Sequence, residues 1–444
     1  MNTGLVVVSG QGKAKAAKQE MPSSAVIIRN RDKKRAPVPK FLLAFFIDIV
    51  AICVVAFSIL MPGSSQNVAL SALDTYAVGW YSYIGEPSLL MELKDAGCSL
   101  ALGWPANFDS GQAKKYLDLA QSLGIKVIMS LVKPPSEEAV KKMVRALNRH
   151  PALLGWYIAD EPEEFGPPPE FVYRIVSSTT PRLPAFIVHY DEKTFDEFRT
   201  QTDVLMLDHY PGYGLSDAES EIVFNWTVRA SYDRWVAGIK WAKLNQKKFI
   251  AVALGYGATE SGSHISGARD LSKAEYRYHV LSAIAAGADG LLFWHTDPQA
   301  DSVYVTNSRI QSIINGLIAI VNAIGPEIQT TSTRLDRGIN DPRVSVSVTP
   351  AQLVFRYGKS NLRRAILAVN IADHTKNNSG TALPGVRFTL EGLGSRSVSV
   401  VGENRTLPIS NSSFTDDFAP FEVHAYIISE EEEQHLRQNG DKFK

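Results

Sequence analysis

Eight short apolar runs, each followed by an amphipathic stretch, constrain the fold of this chain more than any other feature. From Tyr76 onward they fall at 76–82, 98–104, 126–132, 153–159, 184–189, 203–208, 249–255 and 289–295. Runs of this length suit strands buried on both faces, as in a parallel sheet covered by helices. The stretches between them carry helix signals. Leu117, Ala120 and Leu123 share one face before Gly124, and Val140, Met143, Val144 and Leu147 make the next. Ser272 and Glu275 have capping-box spacing ahead of Tyr278, Leu281 and Ile284, with Gly287 as the stop. Ile310, Ile313, Ile314, Leu317 and Val321 mark the eighth helix, which Gly325-Pro326 should end. Eight strand–helix units in about 250 residues match a closed (β/α)8 TIM barrel. An open dinucleotide-binding sheet wants Gly-x-Gly-x-x-Gly after an early strand. Gly255-Tyr-Gly257-Ala-Thr-Glu260 comes late and lacks the third glycine. The pattern therefore predicts an α/β barrel over residues 74–326.

Beyond residue 330 the texture changes. Val344-Ser-Val-Ser-Val348 alternates strictly, and short apolar runs follow at 353–357, 365–369, 386–390, 398–401 and 421–428 with turn residues between them. This predicts an appended β-sandwich over 335–429 that packs on the barrel; an independent sugar-binding module is the alternative. The charged tail, 430–444, opens with four consecutive glutamates. Formal net charge over the whole chain is zero, which gives no reason to expect a nucleic-acid partner.

The N-terminal end reads differently. Residues 1–40 form a basic arm, six Lys and three Arg against Glu20 and Asp32, and an apolar segment follows at 41–61. About 20 residues cross a bilayer core, so this segment is expected to be a transmembrane helix, its basic flank holding the arm in the cytoplasm. Asp48 within it costs roughly 3 kcal/mol on insertion scales, too little to overturn the reading. A cleaved signal peptide is the alternative, given the small residues from Gly63 to Ala72. Either way the barrel is delivered outside the cytoplasm. Of the two cysteines, Cys53 lies in the apolar segment, so Cys98 has no disulfide partner in the folded part.

In a barrel of this kind the C-terminal strand ends form the active face. Those ends present Trp80 and Tyr81, Trp104, Asp160 and Glu161, His189 and Tyr190, Asp208, His209 and Tyr210, Tyr256 and Glu260, and Trp294, His295 and Asp297. Carboxylates and aromatics gathered on one face suit a carbohydrate. Sugar C–H faces stack on aromatic planes, hydroxyls bond to carboxylate, His and Tyr, and glycosidic cleavage needs two carboxyls. Metal chemistry fits less well, since no His-x-His marks the first strand and no His-Glu-x-x-His occurs. No metal or other cofactor is called for.

These strand ends resemble those of the large (β/α)8 superfamily of retaining glycoside hydrolases often called clan A. The resemblance covers roughly residues 75–325, and a C-terminal β-sandwich is a common companion. It implies that Glu161, ending strand four, is the acid/base, that Glu260, after strand seven, is the nucleophile, and that Trp294, ending strand eight, contacts sugar. Asp208-His-Tyr-Pro resembles the family's strand-six ending. Two departures stand out: Asp160 occupies the place of the usual Asn, and Glu260 lies five residues beyond Gly255. A second layout stays open. The barrel family that includes α-galactosidases uses aspartates at strands four and six, where Asp160 and Asp208 stand. Because side chains alternate along a strand, Asp160 and Glu161 should not both face the axis unless Pro162 distorts the exit. The non-enzymatic alternative is a carbohydrate-binding or scaffold protein on a decayed glycosidase barrel.

Overall fold

A computed structural model of the chain describes residues 76–81, 87–103, 108–179, 182–211, 228, 230–255, 270–294, 308–329, 343–348, 352–360, 363–372, 380–393 and 397–429. The basic arm, the apolar segment 41–61 and the acidic tail lie outside them. Among the described residues no helix is long and apolar enough to cross a membrane.

Each of the eight apolar runs is a strand. In sequence order β1 (Ala77–Tyr81), β2 (Leu100–Gly103), β3 (Lys126–Ser130), β4 (Leu153–Asp160), β5 (Ala185–His189), β6 (Val204–His209), β7 (Lys248–Leu254) and β8 (Gly290–Trp294) pair in parallel, and β8 returns to β1 to close the barrel. Around it lie α1 (Pro87–Asp95), α2 (Ser110–Leu123), α3 (Glu137–Leu147), α4 (Glu170–Thr179), α5 (Ser231–Leu244), α6 (Lys273–Ala286) and α7 (Ser308–Gln329). The expected caps form. Gly124 and Gly287 end α2 and α6 with φ of 73° and 110°, left-handed values that glycine adopts without steric cost. Ser272 and Glu275 make a reciprocal capping box. The predicted face of α3 is buried throughout, at Val140, Met143, Val144 and Leu147.

Two features depart from the expected pattern. The link from β5 to β6 contains no α-helix. A 3-10 turn at Glu192–Thr194 and further turns span it, and Phe195 and Phe198 cover the sheet there. At the other departure, α7 runs through Gly325-Pro326 to Gln329 instead of stopping. Proline removes one helical donor, a cost that tertiary contacts can outweigh. Here the far side of Pro326 is tied to the second domain: Ser360 Oγ donates to Glu327 Oε1 at 3.1 Å and Arg356 donates to the Ile328 carbonyl at 3.2 Å.

The second domain is an antiparallel β-sandwich of β9 (Val344–Val346), β10 (Leu353–Lys359), β11 (Arg363–Asn370), β12 (Leu383–Leu390), β13 (Ser397–Val400), β14 (Arg405–Pro408), β15 (Ser413–Phe418) and β16 (Val423–Ser429). The five-stranded sheet has the order β10-β11-β16-β13-β14 and the three-stranded one β15-β12-β9. The larger sheet packs on α6 and α7, and this explains why α6 is apolar almost all round: one face meets the barrel and the other meets the sandwich. Arg356, 3% exposed, donates to the carbonyls of Ile284 and Ala288 as well as Ile328. Arg277 reaches from α6 to Glu403 at 3.0 Å and to the Val423 carbonyl at 2.8 Å.

Candidate active site

Strand β4 carries the decisive irregularity. Its register against β5 shifts between Tyr157 and Ala159, an extra residue that turns Tyr157 and Asp160 to the same side. The next residue, Glu161, is left-handed, with φ 38° and ψ 64°, and a single helical turn, Pro162–Phe165, begins at once. For a side chain larger than glycine this conformation is strained and persists only where its surroundings impose it. The exit is distorted in the way that strand alternation alone forbids, and Asp160 and Glu161 both face the mouth of the barrel.

Each finds a different partner. Asp160 Oδ1 accepts hydrogen bonds from Tyr81 at 2.7 Å and Tyr157 at 2.5 Å, and the two hydroxyls lie 2.9 Å apart. Burial still raises the Asp160 carboxyl above its ordinary range, against those hydroxyls and the more distant Lys133. Glu161 lies beside Asp208, at the end of β6, close enough for each carboxyl to shift the other. Burial raises Glu161 most, Asp208 beside it opposes the rise, and the charges of Asp160, Glu164 and Glu163 add to it. Asp208, only 3% exposed, is held far above the carboxylate range by burial first and by Glu161 next. Two adjacent buried carboxyls cannot both ionise at modest cost, so the pair keeps a proton. One Asp208 oxygen, Oδ1, is buried without a hydrogen-bond partner.

The aromatic wall is narrower than the strand ends suggest. Trp294, half-buried, stacks on Tyr210 with centroids 4.6 Å apart and planes 23° from parallel. Tyr210 also bonds to Asp208, which ties the wall to the carboxyl pair. Tyr190 is half-buried beside the mouth.

Three expected sugar contacts have other surroundings. Trp80 is 1% exposed and packs on Phe293. His189, 0% exposed, sits among Phe195 and Phe198 with Nδ1 at Glu163 and Thr194. His209, 2% exposed, packs on Trp235 and His279 beneath α5 and α6. All three belong to the barrel's packing, a correction that follows from strand phase: Asp208 and Tyr81 face the mouth, so His209 and Trp80 beside them turn away. Trp104, Tyr256, Glu260, His295 and Asp297 lie outside the described residues. The sequence places Tyr81 at a strand end without showing its bond to Asp160, and it gives no signal for Glu163. A strand buried on both faces gives no signal of which neighbour faces the axis. Among the described residues no group of three or more His, Cys, Asp or Glu side chains is arranged to hold a metal ion.

Solved structures share this architecture. The chain is similar to a protein described as a glycoside hydrolase, with a TM-score of 0.55 and 10% identity over 80% of this chain and 93% of that one. It is similar also to a glycoside hydrolase family 5 protein from Bacteroides vulgatus, with a TM-score of 0.50 and 12% identity over 80% of this chain and 89% of that one. No family model matches the chain, and no curated protein matches it by sequence. At this identity the likeness is one of fold alone: a closed eight-stranded parallel barrel followed by antiparallel sheets.

Proposed function

We propose that this chain cleaves glycosidic bonds outside the cytoplasm, with Glu161 as the proton donor. The observation that carries the reading is the Glu161–Asp208 pair at the mouth of a glycosidase-type barrel. A general acid must hold its proton near the working pH, and a buried carboxyl pair that retains one supplies it. Glu161 is the more open of the two, so it is the member that reaches a glycosidic oxygen. The retaining scheme then needs a second, ionised carboxylate on the other side of the bond. Glu260, which follows β7 in the sequence, takes that role; Asp160 is the alternative, with Asp208 as its partner. Trp294, stacked on Tyr210 and partly exposed, is the aromatic side chain proposed to contact a sugar ring.

A second reading has an observation of its own. Retaining enzymes hold their two carboxyls about 5–5.5 Å apart and inverting ones about 6.5–9.5 Å. Glu161 and Asp208 are neighbours on one side of the mouth, so this pair alone does not supply carboxyls spaced for either mechanism. If neither Glu260 nor Asp160 supplies the second carboxylate, the mouth binds carbohydrate without cleaving it.

The test is hydrolysis of a panel of glycans and aryl glycosides by the full chain. Glu161→Gln should slow substrates with poor leaving groups by about 10²–10⁴-fold, the usual worth of acid catalysis, and activated substrates much less. Glu260→Gln should abolish both. Should Asp160→Asn abolish both while Glu161→Gln leaves them intact, Asp160 and Asp208 replace the present assignment. Binding without turnover of any substrate supports the second reading.

A further inference from the structure

The left-handed conformation of Glu161 needs a cause, and two ties to β5 supply it: the Glu161 N–H donates to the Val188 carbonyl at 3.1 Å, and a side chain fastens the turn that follows. Glu161 begins the helical turn itself, its carbonyl accepting from Glu164 and Phe165 at 2.9 Å each. That turn has only four residues and would not hold its own position. It is fastened by Glu163. One carboxylate oxygen accepts the backbone N–H groups of Tyr190 at 2.6 Å and Asp191 at 3.1 Å, just beyond β5, and the other faces His189 Nδ1 at 3.2 Å. His189 Nε2 has no polar partner, so the ring's donor belongs on Nδ1, toward Glu163. The side chain of Glu163 is only 6% exposed. Burial opposes its charge, but His189 and the backbone donors win, and the carboxyl is held below its ordinary range. This is also the link that lacks an α-helix, so the exit of β5 has no helix of its own to fix it beside β4.

We propose that Glu163 is the positioning residue of the site: by fastening the exit of β5 to the turn that follows Glu161, it fixes the Glu161 carboxyl against Asp208. Glu163 makes no contact with a reacting atom and acts through Glu161. The proposal rests on the reading of Glu161 as proton donor. The groups that face Glu161 are Asp160 from β4, Glu163 and Glu164 from the turn, Tyr190 beyond β5, and Asp208 and Tyr210 from β6; Lys133, beyond β3, acts on Asp160. Glu163 therefore supplies a fixed negative charge as well as a clamp, and its loss should move the titration of Glu161 downward.

Two variants of the full chain separate the roles. Glu163→Gln keeps an acceptor for Tyr190 and Asp191 and removes the charge; Glu163→Ala removes both. The Glu161 carboxyl is followed by 13C NMR titration, its signal assigned by its absence in Glu161→Gln, alongside the pH profile of hydrolysis. In Glu163→Gln the Glu161 midpoint should fall. The alkaline limb of the rate profile should follow it, with kcat kept at acid pH. In Glu163→Ala kcat should fall on the order of 10²-fold, the effect of a catalytic group displaced by about an ångström, with KM little changed. Unchanged Glu161 titration in both variants, with only a lower Tm, would make Glu163 a loop staple and overturn the proposal. If the parent hydrolyses nothing, the functional reading fails while the NMR titration still decides this one.

Discussion

Glu161 and Asp208 are neighbours at the ends of β4 and β6, and burial drives both toward the protonated form. The pair ties three properties together: a retained proton, a strained backbone at Glu161, and a wall of Tyr210 and Trp294 anchored through Asp208.

The retained proton has a stability consequence with a definite sign. In the unfolded chain Asp208 ionises near its ordinary value of about 3.9, whereas in the folded chain it stays protonated well above it. The unfolded state therefore loses its proton first. The stability contributed by this group is fully present below about pH 4 and is lost as pH rises toward the folded midpoint. Asp208→Asn is neutral at every pH and escapes that loss. Its Tm should match or trail the parent near pH 3 and gain on it steadily from about pH 4 to pH 7. A Tm difference independent of pH would mean that Asp208 ionises normally in the fold.

How much of this was legible follows from particular residues. The barrel strands are readable because both faces are buried, which makes each an unbroken apolar run between caps such as Ser272 and Gly287. The same double burial hides the phase, so Trp80 and His209 read as mouth residues although Tyr81 and Asp208 take that side. The left-handed step at Glu161 depends on a bulge at Ile158 and on Glu163, 26 to 28 residues before the β5 exit that it clamps. Local sequence carries no trace of such a contact. In the sandwich, β14 (Arg-Thr-Leu-Pro) and β15 (Ser-Phe-Thr-Asp-Asp-Phe) went unread because they lack apolar alternation. Asp416 within β15 is buried by pairing with both terminal nitrogens of Arg405 at 2.8 Å and accepting the Tyr426 hydroxyl at 2.9 Å. Burial through pairing is invisible to a hydrophobic pattern.

The aromatic wall gives a second prediction. Trp294 has one face on Tyr210 and remains half-exposed, while Tyr210 is 8% exposed. Trp294, the more exposed of the two, is the one proposed to meet a ligand. Trp294→Ala should weaken binding of a glycan by about 1 kcal/mol, the scale of an aromatic contact, with cooperative unfolding preserved. Calorimetric titration and a denaturant melt on the same sample decide it. If the melt collapses and affinity per folded molecule is unchanged, Trp294 belongs to the core.

The joint between barrel and sandwich gives a third. Arg356 forks to three carbonyls, but Ala288 also accepts the Tyr76 hydroxyl and Ile284 also accepts the Gly287 N–H. Ile328, past Pro326, is the carbonyl most dependent on Arg356. A lysine keeps the charge but cannot reproduce the planar fork. Arg356→Lys should cost about 1–3 kcal/mol, the price of one buried group left unsatisfied. In urea the parent should unfold in a single transition, and the variant should shift that midpoint or split it by releasing the sandwich first. An unchanged midpoint would show that the fork does not hold the two domains together.

The last prediction concerns residues 41–61, whose apolar run beside a basic arm is the basis for proposing an anchor. A single span with its basic flank inside places the barrel outside the cytoplasm, where glycans would reach its mouth. Full-length protein should then stay with the membrane fraction through high salt and through carbonate at high pH, which strip peripheral proteins but not spanning ones. A chain beginning near Leu73 should be soluble and keep the same barrel, since β1 starts at Ala77. Protease added to intact cells should reach the barrel and spare the basic arm. N-terminal sequencing supplies the opposing outcome: a mature chain starting between Gly63 and Leu73 would identify a cleaved signal peptide and a freely released protein. Protection of the barrel in intact cells would reject both forms of export and place its substrate in the cytoplasm.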